Sequence, residues 1–203
     1  MQSLLVDKKA IGEAKIPVVL LHGLGADEHD LMGLAAAFAP QHPVLSLRAP
    51  GRYGDGYQWF EIDWESETLV ADPGEIESAG RYVINHLPSG PFVCLGFSQG
   101  GIIAQELLRA FPDRVAGLVL VSTWPLPGLA SARAKVPILL QHGELDPIVP
   151  VRAADLLSDI WLGDDVSLMK YPMAHQISTA SLNDISRWFA ERFGDSSSPR
   201  SVG

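Results

Sequence analysis

Four short apolar runs punctuate the chain, each ending in glycine, a small residue or a turn: PVVLLHG (17–23), FVCLG (92–96), GLVLVS (117–122) and PILLQHG (137–143). Val, Ile and Leu dominate them, and apolar and polar positions do not alternate. A strand with one wet face alternates, whereas one buried on both faces does not. These runs therefore predict interior strands of a parallel sheet. PVLSL (43–47) and VSLMKY (166–171) predict two more strands, and SLLVD with AIGEA near the start predicts an edge strand or hairpin.

Between the runs the hydrophobic period becomes helical. In DPGEIESAGRYVINHL, Asp72 stands as N-cap, Pro73 at the first helical position and Glu75 three residues after the cap, while Ile76, Ala79, Val83 and Leu87 share one face. The last helix places Leu182, Ile185, Trp188, Phe189 and Phe193 on its inner side, and further helices are expected over 28–39, 99–110 and 150–160. Strand alternating with helix predicts an α/β fold with a mostly parallel sheet and right-handed crossovers. The pattern contains no repeat and no second domain: one domain is expected over 1–193, followed by a polar, disordered tail over 194–203.

Composition narrows the function classes. At 47% hydrophobic and 19% charged residues the chain reads as globular, and a net charge of -9 without a Lys/Arg cluster argues against a nucleic-acid partner. The single cysteine, Cys94, lies inside FVCLG; it permits no intramolecular disulfide and no cysteine-rich metal site, and reads as a small core residue. MQSLLVDKKAIG lacks the long apolar region of a secretion signal, and no stretch approaches the ~20 apolar residues of a membrane span. A cytoplasmic protein without stable membrane insertion is expected.

Candidate chemistry centres on GFSQGG (96–101), where glycines concentrate between two apolar segments. With 19 glycines in 203 residues, the bare pattern G-x-S-x-G means little; its weight comes from falling between a buried strand and a helix. At such a turn the serine takes strained dihedrals and its hydroxyl projects from the sheet, the nucleophile elbow. The alternative is a packing turn without chemistry. A serine nucleophile needs a base, and the base an orienting acid. In elbow enzymes the chain order is Ser, acid, His, on loops after later strands. QHGELDPIVP puts Asp146 just past one strand and YPMAHQIS puts His175 just past the next. Asp146 could instead begin a turn or cap a helix, Glu144 is a neighbouring choice for the acid, and His175 could cap the last helix. His22 and His142, directly after strands, are expected to hydrogen-bond loop backbone; His29, His42 and His86 read as surface or helix positions. Two backbone donors complete the chemistry: the amide after the nucleophile, Gln99, and one from the loop HGLGADEHDL, for which Leu24 is the candidate.

Together, LHGLGADEHDL, RAP with the later WFEID, GFSQGG, HGELDPIVP and the His175 segment run in order over about residues 16–193. In these pieces the chain resembles the small carboxylesterase/phospholipase family of α/β-hydrolases, which includes acyl-protein thioesterases and bacterial esterases. The resemblance implies an α/β-hydrolase sheet of about seven strands flanked by helices. It implies Ser98 as nucleophile, Asp146 as acid, His175 as base, and Leu24 and Gln99 as oxyanion donors. Trp59 and Phe60 match an aromatic pair that flanks the substrate site in relatives. Two departures concern substrate shape: Ala174 stands where relatives commonly have Gly before the histidine, and STWPLP replaces the more usual S-G-Y-L-P. Only STWPLPGLASARAKV separates two strands where many relatives insert a cap, so no cap domain is expected. The site should be open or covered only by the loop 48–72, which holds Tyr53, Tyr57, Trp59, Phe60 and Trp64. Those aromatics either contact substrate or anchor the loop to the body.

The expected activity is a serine hydrolase (carboxylesterase) cleaving short- to medium-chain acyl esters or thioesters through an acyl-enzyme, with no cofactor and no metal. Lysophospholipase or acyl-protein thioesterase action is the alternative within the enzymes; a non-catalytic protein of this fold that binds a small ligand is the alternative outside them. HGLG also begins like a dinucleotide-binding G-x-G-x-x-G, but Glu28 occupies the third glycine position, where its bulk and charge oppose a pyrophosphate. Oligomeric state has no signature in the sequence.

Overall fold

The computed structural model describes residues 4–7, 15–63 and 69–194. In chain order the elements are β1 (Leu4–Asp7), β2 (Val18–Leu21), α1 (Met32–Phe38), β3 (Val44–Leu47), β4 (Gly51–Tyr53), β5 (Gly56–Gln58), α2 (Pro73–His86), β6 (Phe92–Phe97), α3 (Gln99–Ala110), β7 (Val115–Val121), β8 (Ala132–Arg133), β9 (Ile138–Gly143), α4 (Arg152–Ile160), β10 (Trp161–Leu162), β11 (Val166–Tyr171) and α5 (Thr179–Phe193). Seven strands form the main sheet in the order β1-β3-β2-β6-β7-β9-β11. β1 runs antiparallel to β3 at one edge, and the remaining pairings are parallel. The expected edge strand is β1; AIGEA, Trp64 and the tail beyond Gly194 lie outside the described residues.

The lack of alternation in the sequence has a direct cause: both faces of the sheet are covered. Val18, Leu20, Val93, Leu95, Val119 and Val121 join Phe38 of α1 and Ile185, Trp188 and Phe189 of α5 in one core. Their neighbours Val19, Leu21, Cys94, Leu118 and Leu120 join Ile76, Ala79 and Val83 of α2, Ile102, Ile103 and Leu107 of α3, and Leu157 of α4 in the other. Successive side chains of a strand point to opposite faces, so one uniformly apolar run serves two helical layers. Cys94 is fully buried, and burial pushes its thiol pKa up, as an inert core residue requires.

Several local outcomes bear on the site. The Asp72 carboxylate caps α2 by accepting the Gly74 amide at 2.7 Å. Glu75 turns away from the cap and accepts the Glu61 amide at 2.8 Å, tying α2 to the segment that follows β5. The first helix begins at Met32 rather than at 28: the preceding backbone is in turns, the Asp30 amide donating to the Asp27 carbonyl and the Met32 amide to that of His29, each at 3.3 Å, while the buried Glu28 carboxylate accepts Nε of Arg48 at 2.6 Å. Residues 51–58, read from sequence as part of a long loop, form the hairpin β4–β5 around a two-residue turn with Gly54 at φ 56°. No cap domain intervenes between β7 and β9; that stretch holds only β8, which pairs with β10.

Candidate active site

Ser98 sits between the end of β6 and the first residue of α3, with φ 53° and ψ −119°. A non-glycine residue in this region is strained, and the surroundings hold it there. Its amide donates to the Val121 carbonyl at 2.9 Å, and its carbonyl accepts the Thr123 hydroxyl at 2.7 Å. The glycines of GFSQGG answer to backbone crowding. A Cβ on Gly96 would lie 2.5 Å from the Gly100 carbonyl oxygen, and one on Gly100 only 2.1 Å from that of Leu21. Strand and helix approach too closely for any side chain at these two positions.

The structure brings Ser98, His175 and Asp146 together although 77 and 29 residues separate His175 from the other two. His175 Nε2 lies 3.0 Å from Ser98 Oγ, and His175 Nδ1 lies 2.7 Å from Asp146 Oδ2. The other Asp146 oxygen accepts the amides of Ile148 at 2.8 Å and Val149 at 2.9 Å. Burial works to raise the Asp146 pKa, but the hydrogen bonds from His175, Val149 and Ile148 outweigh it and hold the carboxyl below its usual range. An ionised Asp146 accepting at Nδ1 requires that nitrogen to carry the proton, leaving a lone pair on Nε2 for the serine hydroxyl. Glu144, the alternative acid, is exposed. His175 does not cap α5; Ser178 does, its hydroxyl accepting the Ser181 amide at 3.2 Å. The two loops carrying Asp146 and His175 are joined directly, the Leu145 amide donating to the Met173 carbonyl at 3.1 Å.

The candidate oxyanion donors occupy positions that suit the role. Gln99 is the first residue of α3, so its amide lies beyond reach of the helix's own carbonyls and at the positive end of the helix dipole. Leu24 lies in the turn after β2, which the hairpin holds from outside: Gly25 donates to the Tyr57 carbonyl at 2.8 Å and Tyr57 donates to that of Ala26 at 3.0 Å. A Cβ on Gly56 would meet the Gly25 carbonyl oxygen at 1.9 Å, so this contact is backbone against backbone. Arg48, paired with Glu28, and Arg52 each lie 4.5 Å from the centroid of the Tyr57 ring.

Trp59 and Phe60, each 3% exposed, do not line the space around Ser98. They belong to the core and back an open groove beside the start of α2. Their connections run inward. The Trp59 amide donates to Gln99 Oε1 at 2.8 Å, Gln99 Nε2 donates to the Phe60 carbonyl at 2.8 Å, and the Trp59 indole donates to the His22 carbonyl at 2.9 Å. His22 in turn accepts the Ala49 amide at Nε2 and donates from Nδ1 to the Gly23 carbonyl at 2.7 Å. Burial lowers its pKa, in keeping with a neutral ring doing both. Trp59 thus spans the loop of one candidate donor and the side chain of the other. This fits the anchoring role for the loop aromatics. The Gln99 side chain and the cross-brace itself are what sequence reasoning missed.

The space around Ser98 is a cavity of about 290 Å³ bordered by Leu24, Ile62, Leu69, Gln99, Ile102, Trp124, Ile148, Val149 and His175. The 48–72 segment does reach it, through Ile62 and Leu69. Trp124, within the unusual STWPLP, forms another part of the wall. Among the described residues no group of three or more His, Cys, Asp or Glu could hold a metal ion, and no helix is long and apolar enough to cross a membrane.

A model of the phospholipase/carboxylesterase family matches residues 6–191. The chain belongs to that family. It is 27% identical to acyl-protein thioesterase 1 of Gibberella zeae over 83% of this chain and 86% of that one. Its fold superposes on the carboxylesterase of Bacillus cereus with a TM-score of 0.75 at 21% identity, covering 94% of each chain. Esterase PE8 superposes with a TM-score of 0.73 at 26% identity, over 94% of this chain and 98% of that one. As a member of this family the chain is an α/β-hydrolase of the carboxylic ester hydrolase class.

Proposed function

We propose that the protein is a serine carboxylesterase acting on short- to medium-chain acyl esters or thioesters, with Ser98 as nucleophile, His175 as base and Asp146 as orienting acid. The observation that carries the reading is the hydrogen-bonded chain from Ser98 Oγ through His175 to a buried Asp146, at the mouth of an apolar cavity. His175 Nε2 takes the hydroxyl proton as Oγ attacks the carbonyl carbon. The Leu24 and Gln99 amides receive the oxyanion, helped by the N-terminus of α3. His175 then passes the proton to the leaving oxygen or sulfur, and water repeats the sequence on the acyl-enzyme.

At about 290 Å³ the cavity falls just below the range of small-molecule pockets, roughly 300–1,000 Å³, which suits a short or medium acyl chain. The Gibberella zeae relative is named a thioesterase, which keeps thioesters within the class. The chemistry requires no cofactor, and the proposed place of action is the cytoplasm. Ser98→Ala tests the reading: turnover of p-nitrophenyl butyrate should fall by roughly 10⁴ or more while the fold survives. Near-normal turnover by that variant would refute it, and a wild-type protein that binds such esters without turnover would make it a ligand-binding relative.

A further inference from the structure

A second cavity, of about 250 Å³, also borders His175 and is lined by Asp30, Leu31, Leu34, Phe97, Gln176 and Ile177. Among the described residues, His175 is the one common to its lining and that of the Ser98 cavity. The Phe97 ring packs against the imidazole with centroids 4.9 Å apart. We propose that this cavity receives the leaving alcohol or thiol and favours one bearing a positive charge; the proposal rests on the serine-esterase reading above.

In the tetrahedral intermediate the carbon bonded to Ser98 Oγ carries two diverging substituents, the acyl chain and the leaving heteroatom. When that intermediate collapses, the carbon–oxygen or carbon–sulfur bond breaks. Its electron pair takes from His175 Nε2 the proton that came from Ser98, and the acyl group stays on Oγ. The leaving heteroatom must therefore lie against the imidazole, while the acyl chain occupies the apolar cavity. The second space on the same ring is where the remainder of the leaving group can go. Leu31, Leu34, Phe97 and Ile177 offer it apolar contact. Among the described residues, Asp30, exposed beside them, is the only carboxylate in the lining, and no Lys or Arg joins it. Glu28 nearby is paired with Arg48, so the charge it brings is compensated.

Two butyryl esters matched in shape test this: butyrylcholine and its uncharged isostere 3,3-dimethylbutyl butyrate. At low ionic strength the wild type should show kcat/KM about two- to fivefold higher for the choline ester, the range of an exposed charge pair. Asp30→Asn should bring that ratio to about one. Leu34→Phe, which narrows the space, should lower kcat/KM for both branched esters relative to methyl butyrate. In each variant the change should fall on acylation, because the leaving group has gone before deacylation begins. A choline preference that survives in Asp30→Asn, or a Leu34→Phe variant that slows deacylation as much as acylation, would overturn the proposal. Failure of the underlying reading looks different: Ser98→Ala would turn over both butyryl esters as fast as the wild type, and the proposal would fall with it.

Discussion

Replacing Trp59 by phenylalanine separates the two roles that the aromatic pair was expected to choose between. The substitution keeps a ring in a site that is 3% exposed but deletes the indole N–H that donates to the His22 carbonyl at 2.9 Å. Leaving a buried carbonyl without its partner costs about 1–3 kcal/mol. Taking about 2 kcal/mol, Tm should fall by roughly 4–8 °C in a domain of this size. The catalytic consequence depends on how far the Leu24 amide moves. Losing an oxyanion donor outright lowers kcat by about 10²–10³, which is the ceiling. Other ties remain in the variant, among them Gly25 to Tyr57, Tyr57 to Ala26, His22 to Ala49, and the backbone amide of position 59 to Gln99. A loss of roughly tenfold in kcat, with little change in KM, is the expected compromise. Because position 59 lies outside the wall of the Ser98 cavity, the loss should be equal for p-nitrophenyl esters from acetate to dodecanoate. A loss that grows with chain length would mean the ring touches the acyl chain. An unchanged kcat beside a lowered Tm would reduce Trp59 to a core residue.

Three further outcomes follow from the same geometry. Asp146→Asn should lower kcat by about 10⁴, since the amide favours the wrong imidazole tautomer, while Glu144→Gln, on the exposed side chain, should leave it within about twofold; the opposite ranking in steady-state assays would transfer the acid role. Trp124→Ala should extend the acyl wall and move the chain-length optimum upward, each additional buried methylene adding up to about fourfold in kcat/KM (~0.8 kcal/mol), and an unmoved optimum would take Trp124 out of the wall. Glu28 has a lowered folded pKa: burial opposes ionisation, but the hydrogen bonds and charge of Arg48 outweigh it. A depressed carboxyl pKa stabilises the fold above the unfolded value of about 4.3, and that contribution is lost as pH falls through the folded value. Urea titrations of wild type and Glu28→Gln from pH 7 to 3 should show the variant less stable at neutral pH and less acid-sensitive below about pH 4.3; parallel curves would refute the assignment.

The parts of the fold that were legible in sequence are those whose determinants are local and redundant. A run such as FVCLG must be buried on both faces whatever surrounds it, and the helix opened by Asp72 and Pro73 begins there because its cap is supplied within two residues. GFSQGG was legible for a related reason. The demand for glycine at 96 and 100 comes from strand, turn and helix backbones that are neighbours in the chain or in the sheet. The hairpin at 51–58 is not legible from periodicity because its strands are three residues long, too short to establish a period; its signal is Gly-Asp-Gly between two tyrosines.

Wall residues were harder to assign for a physical reason. An aromatic pair such as Trp59–Phe60 reads the same whether it turns outward to a substrate or inward to the core, and what decides is which polar groups await its backbone. Here the Gln99 side chain offers one acceptor and one donor, and it captures the Trp59 amide and the Phe60 carbonyl together. That double tie draws the segment inward and leaves Ile62 and Leu69 to face the cavity. Gln99, whose amide is one of the two candidate oxyanion donors, thus also decides which part of the 48–72 segment faces the Ser98 cavity. In the proposed mechanism, electrostatic stabilisation and acyl selectivity would therefore be coupled through one residue. A change at Gln99 should disturb both, whereas a change at Ile62 or Leu69 should disturb only selectivity.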